Sequence, residues 1–374
     1  TDLDQRGGIG GAPYLHTLIA SVPVAANAGH YAGIVAEKAW RRRLIDAGAR
    51  IVQLGHSDHD ATTVNDRAGQ TLLDATASRG GEDLVPIGQL TAPVIEDIEE
   101  AGRRTGIRGL ATGYTDLDRL TNGMQPGQLW VVAARPGVGK SVLAADIARH
   151  AALQLRKHVY FASLEMSAKE LTNRVIAAEC KIPLFRIHDG KLNDEEWAKV
   201  ADCAGELADA PFNIDETAHI SVTEIRARAR RAAQRGHLDL VIVDYLQLIA
   251  STTGRRNDTR EREVADISRG LKVLAKDLAV PVIAIAQLNR AVEGRVDKRP
   301  ALADLRESGA VEQDSDVVIL LHRPDYYDKE SGRAGEIDLH VAKNRHGPTD
   351  VVTLAAQLHY SRLMDMSRQH LRSA

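Results

Sequence analysis

An apolar run from Leu129 to Ala134 passes into Arg135-Pro136-Gly137-Val138-Gly139 and then into Lys140-Ser141 at the start of a helical pattern. No other stretch restricts the fold as much. A short continuous apolar run closed by a turn reads as a strand buried on both faces. A glycine-bearing turn opening into a helix points backbone N–H groups and the positive helix end at one spot, which suits phosphate. In such a loop Lys140 neutralises charge at the β- and γ-phosphates, and the Ser141 hydroxyl ligates Mg²⁺. Ala134, Arg135, Pro136, Gly137, Val138, Gly139, Lys140 and Ser141 are therefore the nucleotide-binding candidates, with ATP and Mg²⁺ as the implied cofactors. The chain reads as a candidate ATPase. Ala134 stands where the generic phosphate loop has its first glycine, so G-x-x-x-x-G-K-[ST] is met only from Gly139 onward. The alternative is a chance glycine turn ahead of a core helix, and it is weighed against the segments that follow.

Open parallel sheets bind ligands at the C-terminal edge of their strands, so polar residues should close the other apolar runs. The run from His158 to Leu164 ends in Glu165, Leu240-Val241-Ile242-Val243 ends in Asp244, and the run from Pro281 to Ala286 ends in Gln287. A later run, Ile337 to Ala342, leads into Lys343-Asn344-Arg345 and the turn Gly347-Pro348. Each run is short and apolar, with helical periodicity between the earlier ones, as for strands covered on both faces by crossover helices. The expected fold is α/β with a mainly parallel central sheet.

Phosphoryl transfer to water asks a protein mostly to position groups and stabilise charge. On that chemistry Asp244 is the acid that holds the Mg²⁺ shell beside Ser141. Glu165 is the candidate that orients or deprotonates the attacking water, although taken alone it is a surface glutamate at a strand end. Gln287 would sense the γ-phosphate. Lys343 and Arg345, two apart on a strand, share a face; placed on a strand at the sheet's far edge, they would be supplied across a subunit interface rather than to their own subunit's phosphates. The bland reading of that pair is a solvated basic strand end.

Seven segments together resemble the DnaB-type replicative hexameric DNA helicases of bacteria and their phages. They are residues 112–118, 133–136, 163–167, 243–248, 287–290, 304–309 and 343–348, in the expected order across about two-thirds of the chain. Alanine is common in that family where Ala134 stands. The resemblance implies a RecA-like P-loop motor in which Glu165 is the catalytic glutamate, Asp244 serves Mg²⁺ and Gln287 is the sensor. It also implies that Arg345 is an arginine finger completing a neighbour's site, with Lys343 as companion. The implied function is ATP-driven 5′ to 3′ translocation on single-stranded DNA and unwinding of duplex at the replication fork by a homohexamer. Primase and a helicase loader are further candidate partners. Two rivals stay open at this stage: a RecA-like recombination ATPase, which would lack the linker helix and the 343–348 ending, and a non-motor RecA-like ATP-binding assembly.

Net charge is uninformative about DNA, because 48 Lys and Arg against 51 Asp and Glu leave −3. Any basic surface must be local. The polar stretch 251–260, with Arg255 and Arg256, reads as a mobile loop, and Arg306-Glu307-Ser308-Gly309 resembles the family's loop lining the central channel. Arg255, Arg256, Arg306, Glu307 and Gly309 are the DNA-binding candidates. Neither segment holds an aromatic, so contacts to sugar and phosphate are favoured over base stacking. Val264, Ile267, Leu271, Leu274 and Leu278 form an apolar stripe expected to face the sheet. A second helix opens with Ser221 and Glu224 in capping-box spacing and carries Arg226, Arg228, Arg230, Arg231 and Arg235, read as a solvated face or subunit contact.

Ahead of the motor the expected organisation is a partial helical domain over 1–78, a linker and linker helix over 79–106, and the ATPase domain over 107–374. A helical stretch from about Asn27 to Val52 and another from Ala61 to Thr76 are expected to form a hairpin. Residues 78–83 read as a flexible linker, and a short acidic helix is expected from about Pro93 to Arg104. The globular part that precedes the hairpin in the family is missing, and the chain opens at Thr1, so a fragment, a processed form or a shortened homologue is expected. His56-Ser57-Asp58-His59-Asp60 is rejected as a metal site, since its ligands crowd one turn and no second cluster has zinc spacing. Two cysteines, Cys180 and Cys203, do not make a disulfide framework, and no signal peptide or membrane span is visible, which points to the cytoplasm.

Overall fold

The computed structural model describes residues 28–58, 60–76, 86–103, 106–250, 260–295 and 297–366, with the backbone alone at 28–33, 61, 62, 73, 101, 260 and 306–308. The chain packs as two units, 1–90 and 91–374. In the first, α1 (Ala28–Gly55) and α2 (Ala61–Thr76) fold back on one another as the expected hairpin. Ala47 and Ala75 are buried in it. Asp60 caps α2, accepting from the Thr63 N–H at 2.9 Å and the Thr63 hydroxyl at 2.7 Å, so this carboxylate has a structural partner.

Helix α3 (Ile87–Arg103) starts six residues before the expected Pro93. The expectation treated Pro93 as a first-turn proline, whereas Pro86 opens the helix by accepting from the Gln89 N–H at 2.9 Å. Pro93 then sits in the second turn, where it gives up one internal hydrogen bond. The expected linker at 78–83 lies outside the described residues.

The second unit continues with α4 (Thr115–Thr121), β1 (Leu129–Ala134), α5 (Lys140–Arg149), β2 (Val159–Ser163), α6 (Ala168–Cys180), α7 (Leu184–Asp189), α8 (Asp194–Ala208) and β3 (Phe212–Asp215). After these come α9 (Val222–Arg235), β4 (Leu240–Asp244), α10 (Arg260–Leu278), β5 (Val282–Gln287), α11 (Gly309–Asp314), β6 (Val317–His322) and α12 (Pro324–Tyr327). It closes with β7 (Glu336–Asn344), β8 (Val351–Gln357) and β9 (Arg362–Asp365). These strands form one sheet in the order β3-β2-β4-β5-β1-β6-β7-β8-β9. The six from β3 to β6 are parallel, and β6 to β9 pair antiparallel.

Alternate residues of β1 enter two cores. Trp130, Val132 and Ala134 pack with α5 on one face, and Leu129, Val131 and Ala133 pack with α9 and α10 on the other. Covering both faces explains why the parallel strands read as unbroken apolar runs. Val264, Ile267, Leu271 and Leu274 are buried as expected, each such side chain contributing roughly 1.5–3 kcal/mol. The arginine-rich α9 carries the capping box between Ser221 and Glu224. Its charge is less free than the sequence suggested: Arg226 and Arg230 both pair with Asp277, and Arg228 with Asp215. Cys180 and Cys203 are free and buried between α6 and α8, where burial pushes the Cys180 thiol up to about 12.

Strand direction corrects one expectation. The run ending at Lys343 was read with the others as a strand whose C-terminal end joins the ligand edge, or as one at the sheet's far margin. β7 is an interior strand, flanked by β6 and β8, and it runs antiparallel. Asn344 pairs with Val317, and Val317 with Trp130 near the start of β1. Lys343 and Arg345 therefore sit at the edge opposite the phosphate loop, four residues or roughly 13 Å of strand below the end of β1.

Candidate active site

Four neighbouring strands, β2, β4, β5 and β1, end side by side at one edge. The register sets their ends level, with Ser163 opposite Asp244 and Ala134 opposite Gln287. Adjacent strands lie about 4.8 Å apart, so side chains one or two residues beyond these ends must share a small volume. A cleft of about 450 Å³ forms there, lined by Pro136, Gly137, Gly139, Lys140, Ser141, Glu165 and Gln287, among others. That volume lies in the range of small-ligand pockets.

The loop itself depends on two glycines. Gly137 has φ +76° and Gly139 φ +126°, conformations that disfavour a side chain. Gly139 caps α5, and Lys140 begins it. The helix is almost wholly buried, through Val142, Leu143, Ala144, Ala145, Ile147 and Ala148, so its N-terminal N–H groups are held rigidly toward the cleft.

Glu165 is positioned by the turn after β2. The Leu164 N–H donates to the Asp244 carbonyl at 2.8 Å, and the Ser163 hydroxyl to the Met166 carbonyl at 2.6 Å. Lys140 Nζ donates to Glu165 Oε2 at 2.8 Å and stands 3.6 Å from Asp244 Oδ1. It also lies 4.6 Å from the centre of the Tyr245 ring. The Lys140 side chain is 8 % exposed, that of Glu165 47 % and that of Asp244 0 %.

Both Asp244 carboxylate oxygens are sealed from solvent without a hydrogen-bond partner of ordinary geometry among the described residues. Burial pushes this carboxyl up, with the Lys140 charge opposing the rise. A buried carboxylate whose lone pairs are unspent, next to a serine hydroxyl at a phosphate loop, is the donor set of a hard cation. The residues fit Mg²⁺. Gln287 is held through its backbone, whose N–H donates to Gln247 Oε1 at 3.4 Å.

Not every expected residue reaches the cleft. The Arg135 guanidinium turns away into the protein, donating to Glu293 Oε1 at 2.7 Å and to the Leu288 carbonyl at 2.9 Å. Ala134 and Val138 are buried in the core, so any part they play in binding falls to backbone. Lys343 is spent inside its own subunit, its Nζ donating to the carbonyls of Glu312 at 2.5 Å and Ser315 at 2.8 Å. Burial and the neighbouring Arg345 charge lower its pKa. Arg345 is half exposed, with contacts of only 3.4 Å to Asp316 and to the Gln313 carbonyl.

Of the DNA candidates, Arg255 and Arg256 lie outside the described residues. Arg306 and Glu307 fall on a 3₁₀ segment, Leu302–Ser308, and Gly309 begins α11 at an exposed position.

Sequence reading missed Met166, Glu170, Arg174 and Leu358 in the cleft, and Tyr245 beneath Lys140. Glu170 and Arg174 carried one signal, four-residue spacing on a helix, and they do pair at 3.1 Å. Leu358 carried none, because it arrives from the turn after β8.

Sheet order and cleft together define a P-loop ATPase of RecA-like architecture. The profile of the DnaB-like helicase C terminal domain matches residues 109–365. The chain belongs to the DnaB-like helicase family. It is 48 % identical to the replicative DNA helicase DnaB of Leifsonia xyli subsp. xyli over 369 residues, covering 98 % of this chain and 80 % of that protein. With the DnaB of Geobacillus stearothermophilus it shares 42 % identity over 368 residues, covering 98 % and 81 %. Among solved structures it is similar to a DnaB-like replicative helicase described with its interactions with primase, at TM-score 0.78 and 32 % identity over 98 % of this chain and 90 % of that one. A second solved structure, of an isolated ATPase domain, matches at TM-score 0.72 and 37 % identity, over 76 % of this chain and 100 % of that one. Among the described residues no helix is long and apolar enough to cross a membrane.

Proposed function

We propose that this chain hydrolyses ATP to drive 5′ to 3′ translocation along single-stranded DNA, unwinding duplex at a replication fork as a homohexameric ring. The observation that carries the reading is the gathering of Lys140, Ser141, Glu165, Asp244 and Gln287 at the ends of four adjacent strands. The expected domain limits, 1–78, 79–106 and 107–374, a cytoplasmic location, and primase and loader as partners belong to the same proposal.

Ser141 and Asp244 would hold Mg²⁺, which supplies charge neutralisation on the phosphates when bound. Lys140, now shared between Glu165 and Asp244, would turn to the β- and γ-phosphates, whose charge exceeds that of either carboxylate. Glu165 is thereby released to accept the proton of a water attacking the γ-phosphorus in line as ADP leaves. Gln287 would hydrogen-bond the γ-phosphate, and its place at the end of β5 ties that contact to the chain that follows. The finger must come from a neighbour, because Arg345 lies at the opposite edge of its own sheet.

Replacing Glu165 with Gln keeps size and hydrogen bonding while removing the base. Turnover is expected to fall about 10²- to 10⁴-fold, with nucleotide affinity nearly unchanged. Strand displacement on a forked duplex should disappear in parallel. Normal turnover in the variant would remove Glu165 from this role.

For DNA, Arg306→Ala is expected to weaken single-strand binding equally for all sequences and to reduce the salt slope by about one phosphate contact's worth. Titration of oligonucleotides of different composition at several salt concentrations measures both. A loss confined to some sequences would contradict phosphate tracking.

A further inference from the structure

Arg135 opens the phosphate loop, yet its side chain serves no phosphate. It is 8 % exposed and ends on Glu293, whose side chain is 46 % exposed, and on the Leu288 carbonyl. Both partners lie just beyond Gln287. Leu288 continues β5, its N–H donating to the Ala134 carbonyl at 3.1 Å, and Glu293 sits in the 3₁₀ turn Arg290–Gly294.

That turn is gripped again on its other side. The Asn289 N–H donates to the Asp304 carbonyl at 3.1 Å. Arg295 forks onto the Asp304 carboxylate, at 2.8 Å to Oδ2 and 2.5 Å to Oδ1, and the Ala301 N–H adds a bond of 2.7 Å to Oδ2. Asp304 is buried and lies in the first turn of Leu302–Ser308, the segment that carries Arg306. Two ion pairs in series, Arg135 with Glu293 and Arg295 with Asp304, thus join the first residue of the phosphate loop to the segment bearing Arg306.

Packing alone does not call for this arrangement. An apolar side chain in the place of a buried ion pair is often neutral or stabilising, since the charges need not be desolvated. A forked guanidinium differs from an apolar filler in fixing position and direction. Any displacement of Pro136 and Gly137, which line the nucleotide cleft, moves Arg135, the residue bonded directly to Pro136.

We infer that Arg135 and Glu293 are positioning residues that couple the nucleotide in the cleft to DNA grip at the Arg306 segment, the Arg135 side chain acting as a tie and not as a phosphate ligand. This inference rests on the proposed DNA contact at that segment. Coupling of this kind between two sites is a ratio of affinities, and it is separable from either affinity alone.

The test is Glu293→Gln in the full chain, a change at a half-exposed side chain that faces neither proposed ligand. A fluorescent oligo(dT) is titrated in the presence of a non-hydrolysable ATP analogue and again with ADP, for wild type and variant. Nucleotide affinity and thermal melting are measured alongside. The ratio of the two DNA dissociation constants is expected to shrink at least about 5-fold in the variant, with nucleotide affinity held within about twofold. Arg295→Gln, at the second link, should shrink it in the same way. An unchanged ratio in Glu293→Gln overturns the inference, and so does an equal loss of DNA affinity in both nucleotide states, the mark of a merely structural role. A wild-type protein whose DNA affinity ignores the nucleotide would instead overturn the proposed function itself.

Discussion

Replacing Arg345 with Ala is expected to cut ATP turnover by about 10³- to 10⁵-fold, the range an arginine finger supplies, while nucleotide binding stays close to wild type. Instability is a poor explanation for such a loss, because the side chain is 49 % exposed and its two contacts are both 3.4 Å long. An exposed pair of that kind contributes about 0–1 kcal/mol. The decisive measurement mixes this variant with Lys140→Ala protein. In a ring of randomly mixed subunits, about one interface in four would join an intact Lys140 to an intact Arg345 from the neighbour. Turnover should therefore return in the mixture although each protein alone is inactive. Absence of rescue at every mixing ratio would show that Arg345 does not act on a neighbour's site.

Lys140→Ala should lower turnover by about 10²- to 10³-fold or more, as expected when a preorganised charge at the transferring phosphoryl group is removed. The structure adds a second consequence. Asp244 has Lys140 as its nearby cation, at 3.6 Å, and burial already pushes its carboxyl up. Without Lys140 that carboxyl should rise further toward the neutral acid, which would weaken the Mg²⁺ site as well as the phosphate contact. Lys140→Met, which keeps the apolar stem beside Tyr245, should be as inactive as Lys140→Ala yet melt closer to wild type. Near-normal turnover in both would count against the cleft as the site of hydrolysis.

The candidate site was legible in the sequence to the extent that it is local. Glu165, Asp244 and Gln287 each follow a β-rich apolar run, and any parallel sheet covered on both faces brings such residues to one edge. Their mutual adjacency was not legible, since the order β2-β4-β5-β1 arises from pairing between segments far apart in the chain. Arg135 illustrates a different limit. A motif assigns a residue to a loop by position, but the direction of a long side chain depends on what waits nearby, and Glu293 lies 158 residues later. Leu358 and Tyr245 entered the site in the same non-local way.

By itself the sequence determined the phosphate loop, the strand-end acids and amide, the hairpin ahead of the motor and the apolar stripe of α10, because each is written in the spacing of neighbouring residues. Tertiary structure decided the direction of β7. An apolar run pairs equally well in either sense until its partner is chosen, and pairing antiparallel with β6 carried Arg345 to the edge away from its own phosphate loop. In the proposed ring, that reversal is the physical reason one subunit's arginine is available only to another's nucleotide.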